Sequence, residues 1–349
     1  MEKVNKNKME KIKMTDELII NGRKIGSKHD PFFIAEAGLN HNGDVSIAKQ
    51  MIDKAIESGA DAIKFQTYKS EEFLTESSEY FDFFKNVELS FDEFNELNNY
   101  AKEKNFTFFS APFDIPSADF LNRINVPCFK IASSDLTNMP LVRHIAKMKK
   151  PMIISTGIGT MNEVEEAVNW CLLENNDQIA LLHCVANYPA LPEEANLNAI
   201  KSMMKKFSFP IGYSDNGEST LVDLAAVSLG ACIIEKHYTL DKKFDGPDHS
   251  FSIEPKDLKQ LTSQLSLIAK MKGTGLKSPT DFEISNKPMI RKSITAKTDI
   301  SEGEKLSENN ISIKRPEGGI EPKSWDSVIT KRTNKLIKKD SVIKWDDLI

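Results

Sequence analysis

Apolar runs recur along the chain at near-even spacing. Each is followed by small or polar residues and then by an amphipathic stretch. The runs occupy 32–38, 62–68, 106–113, 128–135, 152–157, 179–185, 210–215 and 232–240. Between the first two, 45–58 reads as a helix N-capped by Asp44, with Ile47, Met51, Ile52, Ala55 and Ile56 on one face and Gly59 ending it. Residues 219–229 and 256–271 read the same way. Strands alternating with helices eight times over predict an α/β chain folded as a (β/α)8 TIM barrel. A doubly wound open sheet is the rival. No Gly-x-Gly-x-x-Gly follows the first run, and the first and last runs both end in polar residues, which favours closure. Upstream, Leu18-Ile19-Ile20-Asn21-Gly22-Arg23-Lys24-Ile25 predicts a hairpin turning at Asn-Gly, placed to plug one end of the barrel. The expected organisation is a flexible tail over 1–16, a barrel domain with its hairpin over 17–272, a turn-rich linker over 273–289, and a small β-rich module over 290–349. That module would carry short strands at 293–296, 311–313 and 341–343.

Composition narrows the class. The chain has 349 residues, 40% hydrophobic and 28% charged, which is ordinary for a soluble globular protein. Its net charge is -5 without a basic stripe, so nucleic acid is not an expected partner. No apolar run is long enough to span a bilayer, and residues 1–14 are charged without the apolar core of a signal peptide. Cys128, Cys171, Cys184 and Cys232 have no metal-binding spacing and suit reduced core thiols in a cytoplasmic protein.

Barrel enzymes carry their chemistry at the C-terminal strand ends. Here those ends offer Glu36, Lys64, Gln66, Ser110, Asp114, Lys130, Ser133, Asp135, Ser155, His183, Tyr188, Ser214, Asn216, Glu235 and His237. Alternation puts Lys64 with Gln66 on one face, Ser214 with Asn216, and Glu235 with His237. Ser133 is out of phase with Lys130, so both reach the centre only if the strand ends between them. Two lysines in apolar strands are costly to bury without an anion, and the serine-rich tips nearby suit a phosphate or carboxylate. His237 with oxygen donors from the neighbouring tip suits a divalent ion such as manganese. Glu36, facing both, reads as an acid/base group. His41 reads equally as a turn-stabilising residue; His144 and His249 read as surface or loop residues.

Ile34-Ala35-Glu36-Ala37-Gly38-Leu39-Asn40-His41-Asn42-Gly43, Lys64-Phe65-Gln66-Thr67, Phe129-Lys130-Ile131, Ser155-Thr156-Gly157, Leu181-Leu182-His183-Cys184, Glu235-Lys236-His237-Tyr238-Thr239-Leu240 and Gly246-Pro247-Asp248 together resemble the sialic acid synthase family. Lys314-Arg315-Pro316-Glu317-Gly318-Gly319 resembles the start of that family's antifreeze-like (SAF, β-clip) module. The resemblance covers about residues 30–349. It implies an enzyme that condenses phosphoenolpyruvate with an N-acylated hexosamine to a nonulosonic acid such as N-acetylneuraminate, legionaminate or pseudaminate. By the same resemblance, Lys64, Lys130, Ser133, Ser155 and Ser214 would bind phosphoenolpyruvate. Gln66, Asp135, Tyr188 and Asp248 would face the sugar, with Arg315 reaching it from the partner of a domain-swapped homodimer. His237 would ligate manganese, with magnesium or cobalt as alternatives, and Glu36 would be the central carboxylate.

The chain departs from the family pattern at four places. Asn216 stands where the second metal histidine is expected; its amide oxygen can still serve a hard ion. Ser134-Asp135 replaces Gly-Glu, and Ala111 and Ala186 replace residues that are polar in some members. Two other readings remain at this stage: a pyruvate aldolase using a lysine Schiff base at Lys64 or Lys130, and a non-catalytic sugar-binding protein.

Overall fold

The computed structural model describes residues 16–349. The N-terminal tail expected over 1–16 therefore lies almost wholly outside the described residues. The first compact unit ends at Gly273 and the second runs from Thr274 to Ile349.

The hairpin forms as expected. β1 (Glu17–Ile20) and β2 (Arg23–Gly26) pair antiparallel around Asn21 and Gly22, both at positive φ. Leu18, Ile20 and Ile25 are buried in the barrel's core. Asn21 bonds Thr107 and Arg23 pairs with Asp61, both at the N-terminal ends of barrel strands. The hairpin thus covers the end opposite the strand tips.

Eight parallel strands follow: β3 (Phe32–Gly38), β4 (Ala62–Thr67), β5 (Thr107–Pro112), β6 (Phe129–Ile131), β7 (Met152–Ser155), β8 (Ile179–Cys184), β9 (Ile211–Asp215) and β10 (Ile233–His237). Each pairs with the next, and β10 pairs with β3 to close the barrel. The helix Val45–Glu57 is capped by Asp44, which accepts the N–H groups of Ser46 and Ile47. It buries Ala48, Met51, Ile52 and Ala55 against the barrel, with Ile47 and Ile56 only partly covered. Every barrel strand but β3 is shorter than its apolar run, β6 and β10 most of all. β6 stops at Ile131 and passes into a 3-10 turn over Ser133–Asp135, held by the Asp135 N–H on Ala132 O. That break meets the phase condition for Lys130 and Ser133. β10 stops at His237, where the chain bridges to Ile253 instead.

The loop after β3 is built around its own polar side chains. Asn40 donates to Tyr238 O and Ser252 Oγ, both at 2.9 Å. The Gly43 N–H donates to His41 Nδ1 at 3.0 Å, so the turn-stabilising reading of His41 describes its contact. Its Nε2 is buried without a partner, and burial holds the imidazole pKa down at about 4. The unfolded imidazole titrates near 6.5 and takes up its proton first. Stability is therefore complete above that pH and falls by about 3 kcal/mol in all as pH drops toward 4. Urea midpoints measured against pH should show this acid-side slope in the wild type and a flatter one in His41→Gln. Equal slopes would remove His41 as its source. His249, expected as a surface or loop residue, lies in a loop but is buried: it bonds Thr239 Oγ1 at 2.7 Å and Asn42 Oδ1 at 3.2 Å, joining the loops after β10 and β3.

In the second unit β11 (Ser293–Ala296) pairs antiparallel with β12 (Ile311–Lys314). Ile294, Leu306, Ile311, Val328 and Ile343 belong to its core. The third expected strand, 341–343, makes only the single bridge Thr295–Val342. The segment expected as a turn-rich linker contains a helix, Asp281–Ile290, started by a reciprocal cap between Thr280 and Glu283.

Candidate active site

Strand register assembles the polar cluster. Glu36 lies beside His237 of β10 on one side and Lys64 of β4 on the other, while Glu235 lies beside Ser214 of β9. All five are at least nine-tenths buried at the C-terminal end of the barrel. A bulge follows Glu36, where the β3–β4 register shifts before Gly38.

Two ammonium groups and two carboxylates share the floor. Lys64 Nζ is 2.5 Å from Glu36 Oε2 and 3.8 Å from Glu235 Oε2. Lys130 Nζ donates to Ser155 Oγ at 2.6 Å and Ile131 O at 3.2 Å, with Glu235 Oε1 at 3.5 Å. Ser214 donates to Glu235 Oε1 at 2.9 Å. Burial raises the Glu36 carboxyl, with Lys64 pulling against it. Burial would lower Lys64 too, but Glu235 and Glu36 more than offset it and the group ends above its ordinary value. Burial does lower Lys130. Burial acts to raise Glu235, and the two lysines outweigh it, so that carboxyl stays low and charged.

Glu235 is the residue the sequence argument left without a role. The lysines were expected to need an anion from outside, yet Glu235 stands between them as a loose counterion: both contacts exceed 3.2 Å and its Oε2 accepts no hydrogen bond. A tally of charges could have found it, since Lys64 and Lys130 face the centre and Glu36 balances only one of them.

The other expected residues differ in how close to the cluster they are held. Gln66 donates to Glu36 Oε1 at 3.3 Å, and Ser133 accepts the Gly157 N–H at 3.0 Å beside the phosphate-type tips. Tyr188 and Phe251 flank His237 edge-on, with ring centroids 5.8 and 5.1 Å away, and Asp248 Oδ2 is 3.9 Å from His237 Nδ1. Asp135 is tied up in its own turn, accepting from Asn138 and Ser134, and burial pushes its carboxyl up. Arg315 is an exposed residue of the second unit. Ser110 bonds Thr67, Asp114 caps the helix Ile115–Arg123, and His183 bonds Ala195 O, so these three strand-end residues are engaged locally.

His237 Nδ1 is buried and has no hydrogen-bond partner. Burial lowers its pKa and keeps it neutral, the form that binds metal. Asn216 donates its amide N–H groups to Val185 O at 2.7 Å and Cys184 Sγ at 3.5 Å, which leaves its oxygen as the acceptor. No cluster of three or more His, Cys, Asp or Glu suited to a metal exists among the described residues. The donors that the expected ion would find here are the His237 imidazole and the oxygens of Asn216 and Asp248.

Comparison with known proteins gives the same outline. The NeuB family profile matches residues 51–277, and the SAF domain profile matches 291–349. The chain is 41% identical to N,N'-diacetyllegionaminic acid synthase of Campylobacter jejuni, over 89% of this chain and 98% of that one. It is 46% identical to an uncharacterized protein of Methanocaldococcus jannaschii, over 98% and 99%. The crystal structure of N-acetylneuraminic acid (sialic acid) synthetase from Leptospira borgpetersenii, in complex with citrate, superposes with a TM-score of 0.75 at 41% identity, covering 78% of this chain and 95% of that one.

Proposed function

Since the chain belongs to the NeuB family and ends in a SAF domain, we propose that it condenses phosphoenolpyruvate with an N-acylated hexosamine and water, yielding a nonulosonic acid and inorganic phosphate. The observation that carries the reading is the convergence of Glu36, Lys64, Lys130, Glu235 and His237 in one buried cluster at the strand tips.

Lys64 and Lys130, with Ser133, Ser155 and Ser214, bind the phosphate and carboxylate of phosphoenolpyruvate; the loosely held Glu235 keeps both lysines charged until then. Gln66, Asp135, Tyr188 and Asp248 orient the open-chain sugar, with Arg315 coming from the second subunit of a domain-swapped homodimer. Phe282, Ile284 and Met289, exposed on the helix Asp281–Ile290, supply apolar surface for that association. A divalent ion held at His237, manganese or else magnesium or cobalt, would polarise the aldehyde oxygen.

The C3 methylene of phosphoenolpyruvate attacks the aldehyde carbon, and Glu36 donates its proton to the aldehyde oxygen. Positive charge left at C2 is taken by water, whose proton returns to Glu36. The resulting hemiketal phosphate breaks the C2–O bond to its phosphate, and its C2 hydroxyl gives up its proton to the departing phosphate to leave the ketone. A carboxyl raised by burial suits both transfers. The reaction is set in the cytoplasm, in keeping with four free, buried cysteines; among the described residues no helix is long and apolar enough to cross a membrane.

The test is a product-mass screen with phosphoenolpyruvate, manganese and a panel of 2-acetamido and 2,4-diacetamido hexoses. A product heavier than the sugar by the elements of pyruvic acid, with equimolar phosphate, is expected. No product from any sugar would sink the reading. One observation favours a pyruvate aldolase instead: burial lowers the Lys130 ammonium, as a Schiff-base lysine requires. Borohydride trapping of pyruvate on Lys130 would identify that chemistry.

A further inference from the structure

We infer that the cation of this site is held between His237 and Asp248, over Gly38, and not between His237 and Asn216. This rests on the reading above that the site uses a divalent ion, and it assigns the second protein ligand.

The first observation is the gap itself. His237 Nδ1 is buried and unpartnered, and Asp248 Oδ2 lies 3.9 Å from it. That separation is too long for a hydrogen bond. It is within reach of two donors that share one ion at about 2.1 Å each. The imidazole packs against Tyr188 and Phe251, which also touch each other, so packing restrains its plane.

The second observation is the space in front of these atoms. Gly38 sits at φ +53, where a side chain is disfavoured. A Cβ built there would lie 3.3 Å from Asp248 Oδ2, 3.6 Å from Glu36 Oε1 and 3.6 Å from His237 Cε1. Two carboxylates and an imidazole thus ring one point that the backbone leaves without a side chain.

The third observation concerns Asn216. Its amide is anchored on Val185 O and Cys184 Sγ at the end of β8. Both of its N–H groups are thus spent on β8 and the residue after it, and only a neutral carbonyl oxygen remains to offer a cation. A carboxylate is also the stronger oxygen donor for manganese or magnesium, and its charge offsets part of the ion's. With only two protein donors, the remaining positions are left to water and substrate oxygens.

The experiment measures Mn2+ binding to the metal-free full chain, without substrates, from the loss of the free-ion EPR signal. Asp248→Asn and His237→Gln are expected to weaken binding at least about tenfold, and Asn216→Ala to stay within about threefold of wild type. Circular dichroism melts confirm that each variant is folded. Tight binding by Asp248→Asn together with a loss in Asn216→Ala would overturn the assignment, as would a wild type that takes up no Mn2+. A failed condensation screen with Asp248-dependent Mn2+ binding intact would sink the proposed reaction and leave this site standing.

Discussion

Glu36→Gln is expected to lower kcat by about 10²–10⁴-fold while leaving the melting temperature close to that of the wild type. The substitution keeps the volume of the side chain and an oxygen for the Gln66 amide, which donates to Glu36 at 3.3 Å. In the protonated form that the transfer to the aldehyde requires, Glu36 is as neutral as glutamine, and Glu235 stays near both Lys64 and Lys130 in the variant. What disappears is the exchangeable proton of a carboxyl that burial has raised. Phosphate release at saturating phosphoenolpyruvate and sugar is the measurement. A glutamine variant that turns over normally would take Glu36 out of the chemistry.

Lys236→Met should destabilise the fold by about 3–5 kcal/mol, read as a drop in the urea midpoint. Lys236 points away from the barrel centre, between β10 and the helix Thr220–Leu229, and is 1% exposed. It is ion-paired with Asp215, lies 3.3 Å from Asp223 Oδ2, and donates to Gly217 O at 2.8 Å. Burial pushes Asp223 well above the carboxylate range, while Asp215 is the carboxylate ion-paired with the ammonium. Removing the ammonium leaves that carboxylate in an apolar layer. Adding Asp215→Asn should recover part of the loss, because the uncompensated charge goes with it. A single variant as stable as the wild type would show that water reaches the cluster.

The barrel was readable because its strands are buried on both faces and appear as continuous apolar runs, with caps such as Asp44 and Ser219 marking helix starts. Glu36, Lys64, Lys130 and His237 stood out as charged groups in those runs. Glu235 escaped because it looks like any strand-end acid until the charges facing the centre are summed. Lys236 escaped because its partners, Asp215 and Asp223, are brought to it only by the β9–β10 pairing and the helix that follows β9. The helix Asp281–Ile290 buries none of its residues, so it lacks the apolar stripe that marks a helix; the Thr280–Glu283 cap was its only signal. Segment 341–343 has the composition of a strand but finds only one bridging partner, and composition cannot report pairing.

The last barrel strand carries Glu235 and His237 toward the centre and Lys236 toward the outer layer. Slipping it by a single residue would swap reactive groups for anchoring ones at a stroke. Efforts to retune this catalyst should therefore leave that stretch untouched and spend their diversity on the loops after Cys184 and His237. There Ala186 can be varied without disturbing the alignment on which both chemistry and cohesion depend, whereas Tyr188 and Asp248 stay fixed beside His237.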